Sequence, residues 1–217
     1  MDIPSILSIQ IGLPKQLGTE GAIDLMDRPW TTGFFKEPVA GAIYLGKTNL
    51  VGDGQADLIL HGGTEKAVLA YAAKHYPQWR QELNLPNFPY GAFGENFTVS
   101  MQAEEDVCIG DIFAVGEARI QVSQPREPCW KLARRWRRKD LPKRVITSGR
   151  SGWYFRVLSE GIVESGLPLL RLERPLPQWS IARVNQAFYR GGEDVSELAS
   201  CPLLSPSWRQ YFYNRSS

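Results

Sequence analysis

Long hydrophobic runs are missing from this sequence. No segment reaches the roughly 18 consecutive apolar residues that a membrane-spanning helix needs. The N-terminal stretch "MDIPSILSIQIGLPKQ" has neither the basic region nor the apolar core of a signal peptide. The expectation is a soluble, non-secreted protein of the cytoplasm. Cysteine is scarce: Cys108, Cys129 and Cys201 are an odd number at wide spacings, which excludes a disulfide framework and suits a reducing compartment. There is no CxxC pair and no His/Cys spacing suited to zinc. Histidine is limited to His61 and His75, so a histidine-based triad has few options. Charge of one sign is also lacking. A net charge of +2 is too small for a global affinity for nucleic acid or membrane, so any basic chemistry must come from local clustering.

What is present is enough for one substantial domain, or a domain with a small appendage: 217 residues, 43% of them apolar, can bury a core. Up to about residue 122 the chain offers short β-type runs broken by Gly, Pro and Asn, namely "SILSIQIG", "GAIYLG", "TNLVGD", "ENFTVS", "IGDIFAVG" and "ARIQVSQ". They predict a mainly antiparallel sheet or barrel decorated by a few helices. One helix is expected over residues 63–83, where Val68, Leu69, Tyr71, Ala72, His75, Tyr76 and Trp79 recur at spacings near three and four, with Pro77 as a kink or break. Past the prolines of "LERPLPQWS" the composition changes. Ser180 reads as an N-cap for "SIARVNQAFY", Gly191 and Gly192 as its stop, and "EDVSELAS" and "SPSWRQYFYN" as two further short helices. The expected organisation is a β unit over 1–173 and a three-helix unit over 174–217. The tail has no dense basic recognition face, which argues for docking or a partner rather than nucleic acid.

Three stretches carry candidate chemistry. In "QVSQPREPCWKLARRWRRKD" (121–140), Pro128 suits the first turn of a helix, which puts Cys129 at a helix N-terminus. Free backbone N–H groups there favour a thiolate, and Arg126, Lys131 and Arg134 add positive charge. A thiolate is a nucleophile or a metal ligand; the alternative is a small buried residue at the end of a strand. Cys108 and Cys201 read as core. The run from Lys131 to Arg144 has Leu132 and Trp136 as its buried stripe and almost no acidic partner except Asp140, which suits an anionic ligand or partner protein. In "HGGTEKAV" (61–68), Gly62 and Gly63 allow close backbone approach, and His61 and Lys66 flank a helix start able to receive an anion; the plain alternative is a turn. "GAFGENFTVS" (91–100) places Glu95 and Asn96 at the mouth of a strand, where the plain reading is a hairpin turn with a satisfied Asn. His75 reads as a packing residue.

Together, "HGGTEKAVLAY", "FGENFTV", "IGDIFAVGEARIQVSQPREPCWKL" and "SGRSGWYFRVLSEGIV" resemble the MOSC family, named for the C-terminal domain of molybdenum cofactor sulfurase, in its bacterial YiiM-type branch. The resemblance covers about residues 28–170, and the tail from about 174 is similar to the three-helix extension of that branch. It implies a MOSC-type antiparallel β-barrel holding a molybdenum cofactor of the molybdopterin type, with Cys129 as the metal ligand. It further implies Arg126, Lys66 and the turn at His61, Gly62 and Gly63 as partners of the pterin phosphate, with Asn96, Ser123, Gln124 and Arg150 near the pocket; Cys129, Arg126 and Lys66 would carry the chemistry. The implied activity is reduction of N-hydroxylated compounds, including base analogues, in detoxification, fed by a separate flavin or iron–sulfur reductase. No nucleic-acid or membrane partner is implied; a homodimer is. The basic face at Arg134 to Arg144 is the expected docking face for an acidic electron carrier. Two rivals stand beside this reading: a persulfide-carrying sulfur transferase using the same thiol, and a non-enzymatic molybdopterin carrier.

Overall fold

A computed structural model describes residues 3–192 and 194–216; Met1, Asp2, Ser217 and Glu193, the first residue of the expected second tail helix, lie outside the described residues. The centre of the fold is a curled eight-stranded sheet in the order β12, β8, β9, β10, β6, β7, β1, β4. In chain order these are β1 (Ile6–Ile11), β4 (Glu37–Pro38), β6 (Val68–Ala72), β7 (Phe97–Val99), β8 (Ile112–Val115), β9 (Ala118–Pro125), β10 (Trp153–Ser159) and β12 (Leu170–Glu173). Two small ribbons flank it, β2 (Lys15–Leu17) with β3 (Trp30–Thr32), and β5 (Ile43–Leu45) with β11 (Gly161–Val163). Among the described residues every strand pairing is antiparallel except β6 with β7. Ser5 bridges to Pro168, and the Ile6 N–H donates to the Leu167 carbonyl at 3.0 Å. These contacts draw the β1 side of the sheet toward the β12 side and curl it into the barrel-like form expected.

Sequence and structure diverge in four places. The helix expected over 63–83 is a 3-10 turn (Thr64–Lys66), strand β6, a second 3-10 turn (Ala73–His75) and helix α1 (Tyr76–Leu83). All five β6 residues are buried, and a strand covered on both faces has no polar stripe to separate it from a helix by period. Pro77 lies in the first turn of α1, where it starts the helix instead of kinking it. The basic stretch is two helices. Cys129 caps α2 (Trp130–Trp136), Arg137 stops it in the left-handed region at φ 49°, and α3 (Leu141–Ser148) follows; Pro128 therefore precedes the cap and is not in the first turn. Lastly, "TNLVGD" forms only a bridge from Leu50 to Leu45.

The tail forms α4 (Ile181–Arg190), α5 (Asp194–Ala199) and α6 (Pro206–Ser216). Ser180 accepts the Arg183 N–H at 3.2 Å, and Gly191 ends α4 with φ 75°. These helices share the main core with the sheet: Trp179, Ile181, Val184, Leu198, Trp208 and Phe212 pack in one buried cluster with Phe113, Ile120, Val122 and Phe155. Each such side chain stabilises the docked arrangement by about 1.5–3 kcal/mol. A second, aromatic cluster joins α1, α2 and α3 through Tyr71, Trp79, Phe88, Phe93, Leu132 and Val145. Its centre is Tyr71 stacked on Phe93, with ring centroids 4.2 Å apart.

Candidate functional site

A cavity of about 420 Å³ opens where the C-terminal end of β9 meets the loops at 32–36, 54–61 and 93–96. This size lies within the range of small-molecule sites. Cys129, Arg126, Lys66, His61, Asn96 and Gln124 all line it. The local backbone explains the convergence. Pro125 ends the β9 ladder against Trp153, and the Arg126 N–H donates to the Gly152 carbonyl at 3.1 Å. The next residues leave the sheet extended until Cys129, at φ −99° and ψ 166°, starts α2. The Cys129 thiol is half-buried, whereas Cys108 and Cys201 are in the core.

Two buried polar atoms at the cavity have no partner among the described residues, Nη1 of Arg126 and Oε1 of Gln124. The rest of Arg126 is tied down: Nη2 donates to the Phe93 carbonyl at 3.1 Å, and the guanidinium lies over the Phe34 ring. A buried guanidinium with one nitrogen unpaired beside a cavity suits an anion, because an unpaired buried donor costs about 1–3 kcal/mol until something meets it. Lys66 donates to the Leu60 carbonyl at 2.7 Å, and Lys131 adds a third cation to the lining. Burial, assisted by the cations Lys131 and Lys66, holds His61 below the usual histidine range. Its imidazole is therefore neutral near pH 7, an acceptor as well as a donor. Burial also pushes the Tyr154 phenol, which faces the same space, up to about 12.

The other expected site residues act from outside the lining. Ser123 is fully buried, and its hydroxyl donates to the Glu65 carbonyl at 2.6 Å, tying β9 to the "HGGTEK" loop. Gly63, at φ 89°, and Gly62, where a side chain would meet the Leu58 carbonyl at 2.9 Å, shape that loop without facing the cavity. Arg150 is a correction: its guanidinium stacks 3.6 Å from the Trp79 ring and bonds both Glu82 oxygens at 2.9 Å, so it clamps α1 to the end of α3. The resemblance implied a place near the pocket, but its side chain turns toward α1. Asn96 lines the cavity, yet its amide is engaged: Oδ1 accepts from Leu69 N–H, and Nδ2 donates to Gln10 and Asp53. The basic face is also less free than its sequence implies. Arg134 bonds the Met26 and Arg28 carbonyls, Arg135 those of Phe34 and Gly91, and Arg137 pairs with Asp27. His75, expected as packing, is buried and bonds Glu104 at 2.7 Å.

Sequence reasoning missed several lining residues, among them Lys36, Tyr154 and Ser207 with polar side chains. Lys36 lies just before β4, buried and paired with Asp53, whose carboxylate also accepts the Gly12 N–H at 2.9 Å and Asn96 Nδ2 at 2.8 Å. The signal available was a lysine inside the apolar run "TTGFFKEPV". Tyr154 comes from β10, and Ser207 from the first turn of α6, so the helical tail reaches the cavity wall. The tail is fastened there by Arg156, which donates to Glu65 at 2.5 Å and to the Leu203 carbonyl at 2.9 Å.

The residues fit a molybdopterin-type group. A guanidinium with an unpaired nitrogen and two amines suit a phosphate, the Gln124 oxygen is an acceptor for an N–H edge, and Cys129 offers a sulfur ligand. Among the described residues there is no group of three or more His, Cys, Asp or Glu able to cage a metal, so a metal at Cys129 would take its other ligands from an organic group. No helix among the described residues is long and apolar enough to cross a membrane.

Comparison with known proteins agrees with the motifs. Residues 57–169 match the MOSC domain model, and residues 179–215 match the model of the YiiM-like 3-alpha helix domain. The chain is 42% identical over 214 residues to protein YflK of Bacillus subtilis, covering 97% of this chain and 94% of that one. It is 39% identical over 203 residues to a Gibberella moniliformis protein named a reductase, covering 92% of this chain but 35% of that longer one. The crystal structure of YiiM from Geobacillus stearothermophilus superposes with a TM-score of 0.81 at 40% identity, covering 99% of this chain and all of that one.

Proposed function

Because this chain belongs to the MOSC domain family, in its YiiM-like form with a three-helix extension, we propose that the cavity at Cys129 holds a molybdenum cofactor and reduces N-hydroxylated compounds to amines. The observation that carries the reading is the half-buried Cys129 thiol sharing one cavity with Arg126, which has an unpaired nitrogen, and the amine of Lys66. In this reading Cys129 is the protein's ligand to molybdenum, and Arg126, Lys66 and Lys131 hold the pterin phosphate. Gln124 meets the pterin edge. When bound, the cofactor supplies the two-electron redox chemistry that removes oxygen from nitrogen. The chain's own contribution is to orient and to exclude water: Phe34, Phe93 and Leu69 wall the cavity with apolar surface, and Tyr154, whose phenol burial pushes up to about 12, lines it as a protonated group. The sequence has no nicotinamide, flavin or cluster motif, and in this reading the electrons come from a separate reductase; the match to part of a longer protein named a reductase is in keeping with reductive chemistry. The exposed Arg138, Lys139 and Lys143 are the cations left to receive an acidic donor.

The test is turnover of an N-hydroxylated purine by protein purified from cofactor-replete cells, driven by a chemical electron donor. Amine should form with wild type and not with Cys129→Ala. A wild-type thiol that instead carries reducible sulfur, with no amine formed, would replace this reading with sulfur transfer.

A further inference from the structure

The pair Lys36–Asp53 is unusual for its place. Both side chains are almost fully buried, at 7% and 0% exposed. Taking two charges out of water is expensive, and an apolar pair of similar volume is often at least as stable, so stability alone does not account for a lysine here. Its ammonium has three donors. Among the described residues it has one partner, Asp53, while the lysine lines the cavity. The remaining donors are therefore available to whatever enters. Asp53 is immobile, because Gly12 N–H and Asn96 Nδ2 occupy the same carboxylate.

Reduction of an N-hydroxylated amine breaks the N–O bond. It consumes two electrons and two protons, adds one hydrogen to nitrogen, and releases the oxygen as water. A source is needed for the proton that turns the departing hydroxyl into water. The other cavity groups suit this less well: a guanidinium does not release its proton, His61 is already neutral near pH 7, the Tyr154 phenol is pushed up to about 12, Lys66 and Lys131 are assigned to the phosphate, and Glu127, although burial pushes its carboxyl up, is an exposed residue. We infer that Lys36 is the proton donor, giving a proton to the leaving hydroxyl oxygen while a separate two-electron reductase supplies the electrons, with Asp53 and Asn96 as the residues that position it. The nitrogen's proton comes from solvent at the mouth, and solvent then reprotonates Lys36. The charged groups facing the amine are Asp53 from the loop after β5 and Glu95 from the loop before β7, which favour the ammonium, and burial, which outweighs them and lowers Lys36 below the ordinary lysine range. This shift moves the amine toward the pH at which a general acid works. The inference rests on the reductase reading above.

Lys36→Arg separates this role from a structural one, since arginine keeps the charge and pairs with Asp53 but cannot give up a proton. In cofactor-loaded protein, Lys36→Arg should retain wild-type molybdenum content and lose roughly 10²-fold or more in kcat. The alkaline fall of the wild-type rate should vanish from the residual rate. In metal-free protein, NMR titration of lysines labelled at Cε should show one resonance titrating below the ordinary lysine range and missing from Lys36→Arg. Near-wild-type kcat in Lys36→Arg, loss of its molybdenum, or a Lys36 resonance at or above the ordinary range would each overturn the inference. If wild type itself forms no amine, the reductase reading fails instead, a result distinct from all three.

Discussion

Asp53→Ala would strand a buried ammonium, and the structure sets the size of the effect. The substitution removes three bonds to one carboxylate, from Gly12 N–H, from Lys36 and from Asn96 Nδ2. Asn96 keeps its bond to the Gln10 carbonyl at 3.2 Å, so its loss is partial. The dominant cost is the unpaired charge: breaking a buried ion pair by removing one partner costs about 3–5 kcal/mol. In urea, with an m-value of about 2–3 kcal/mol per M, the midpoint of the ligand-free protein should fall by roughly 1–2 M. Lys36→Met in the same background removes the stranded charge and should restore about 2 kcal/mol or more. The pH dependence has a definite sign. Burial already places the folded-state value of Lys36 below the unfolded one, and loss of Asp53 lowers it further. The unfolded chain then binds more protons, so stability rises with pH between the folded value and the ordinary 10.5. The deficit of Asp53→Ala should therefore shrink as pH is raised through that window. A loss under about 1 kcal/mol, a double variant no better than Asp53→Ala, or a deficit that grows with pH would refute the reasoning.

Other expectations follow from single positions. Native protein treated with a thiol reagent should react rapidly at one cysteine, and Cys129→Ala should abolish that phase, since Cys108 and Cys201 are buried. Gly152→Ala should destabilise by at least about 1–2 kcal/mol in urea, because Gly152 sits at φ 77° and a Cβ there would meet the Ala70 carbonyl at 2.5 Å, across the β10–β6 pairing. Arg150→Met should lower stability by about 1–3 kcal/mol through loss of its Glu82 pair and Trp79 stacking, yet leave the molybdenum content of the purified protein unchanged.

Strands whose faces differ were legible in the sequence, as in β8, where burial alternates along Ile112 to Val115. β6 was not, because Val68 to Ala72 are covered on both sides. At the site, the order of "HGG", "FGEN" and "QPREPC" brought Cys129, Arg126 and Lys66 to attention, and the structure places them in one cavity. Lys36 and Asp53 are far from those motifs in sequence; only the fold of the loops at 32–36 and 51–54 brings the pair together. Arg150 illustrates the opposite case: membership of a motif says nothing of where a long side chain points. The basic run misled for a related reason. Arg134 and Arg135 spend donors on the backbone carbonyls of Met26, Arg28, Phe34 and Gly91, which no charge map shows.

The central claim is that Cys129 anchors molybdenum in this cavity. Elemental mass spectrometry of wild type and Cys129→Ala from cofactor-replete cells tests it most directly. Near-stoichiometric molybdenum in wild type and none in the variant is the predicted result; equal molybdenum in both, or none in either, would contradict it.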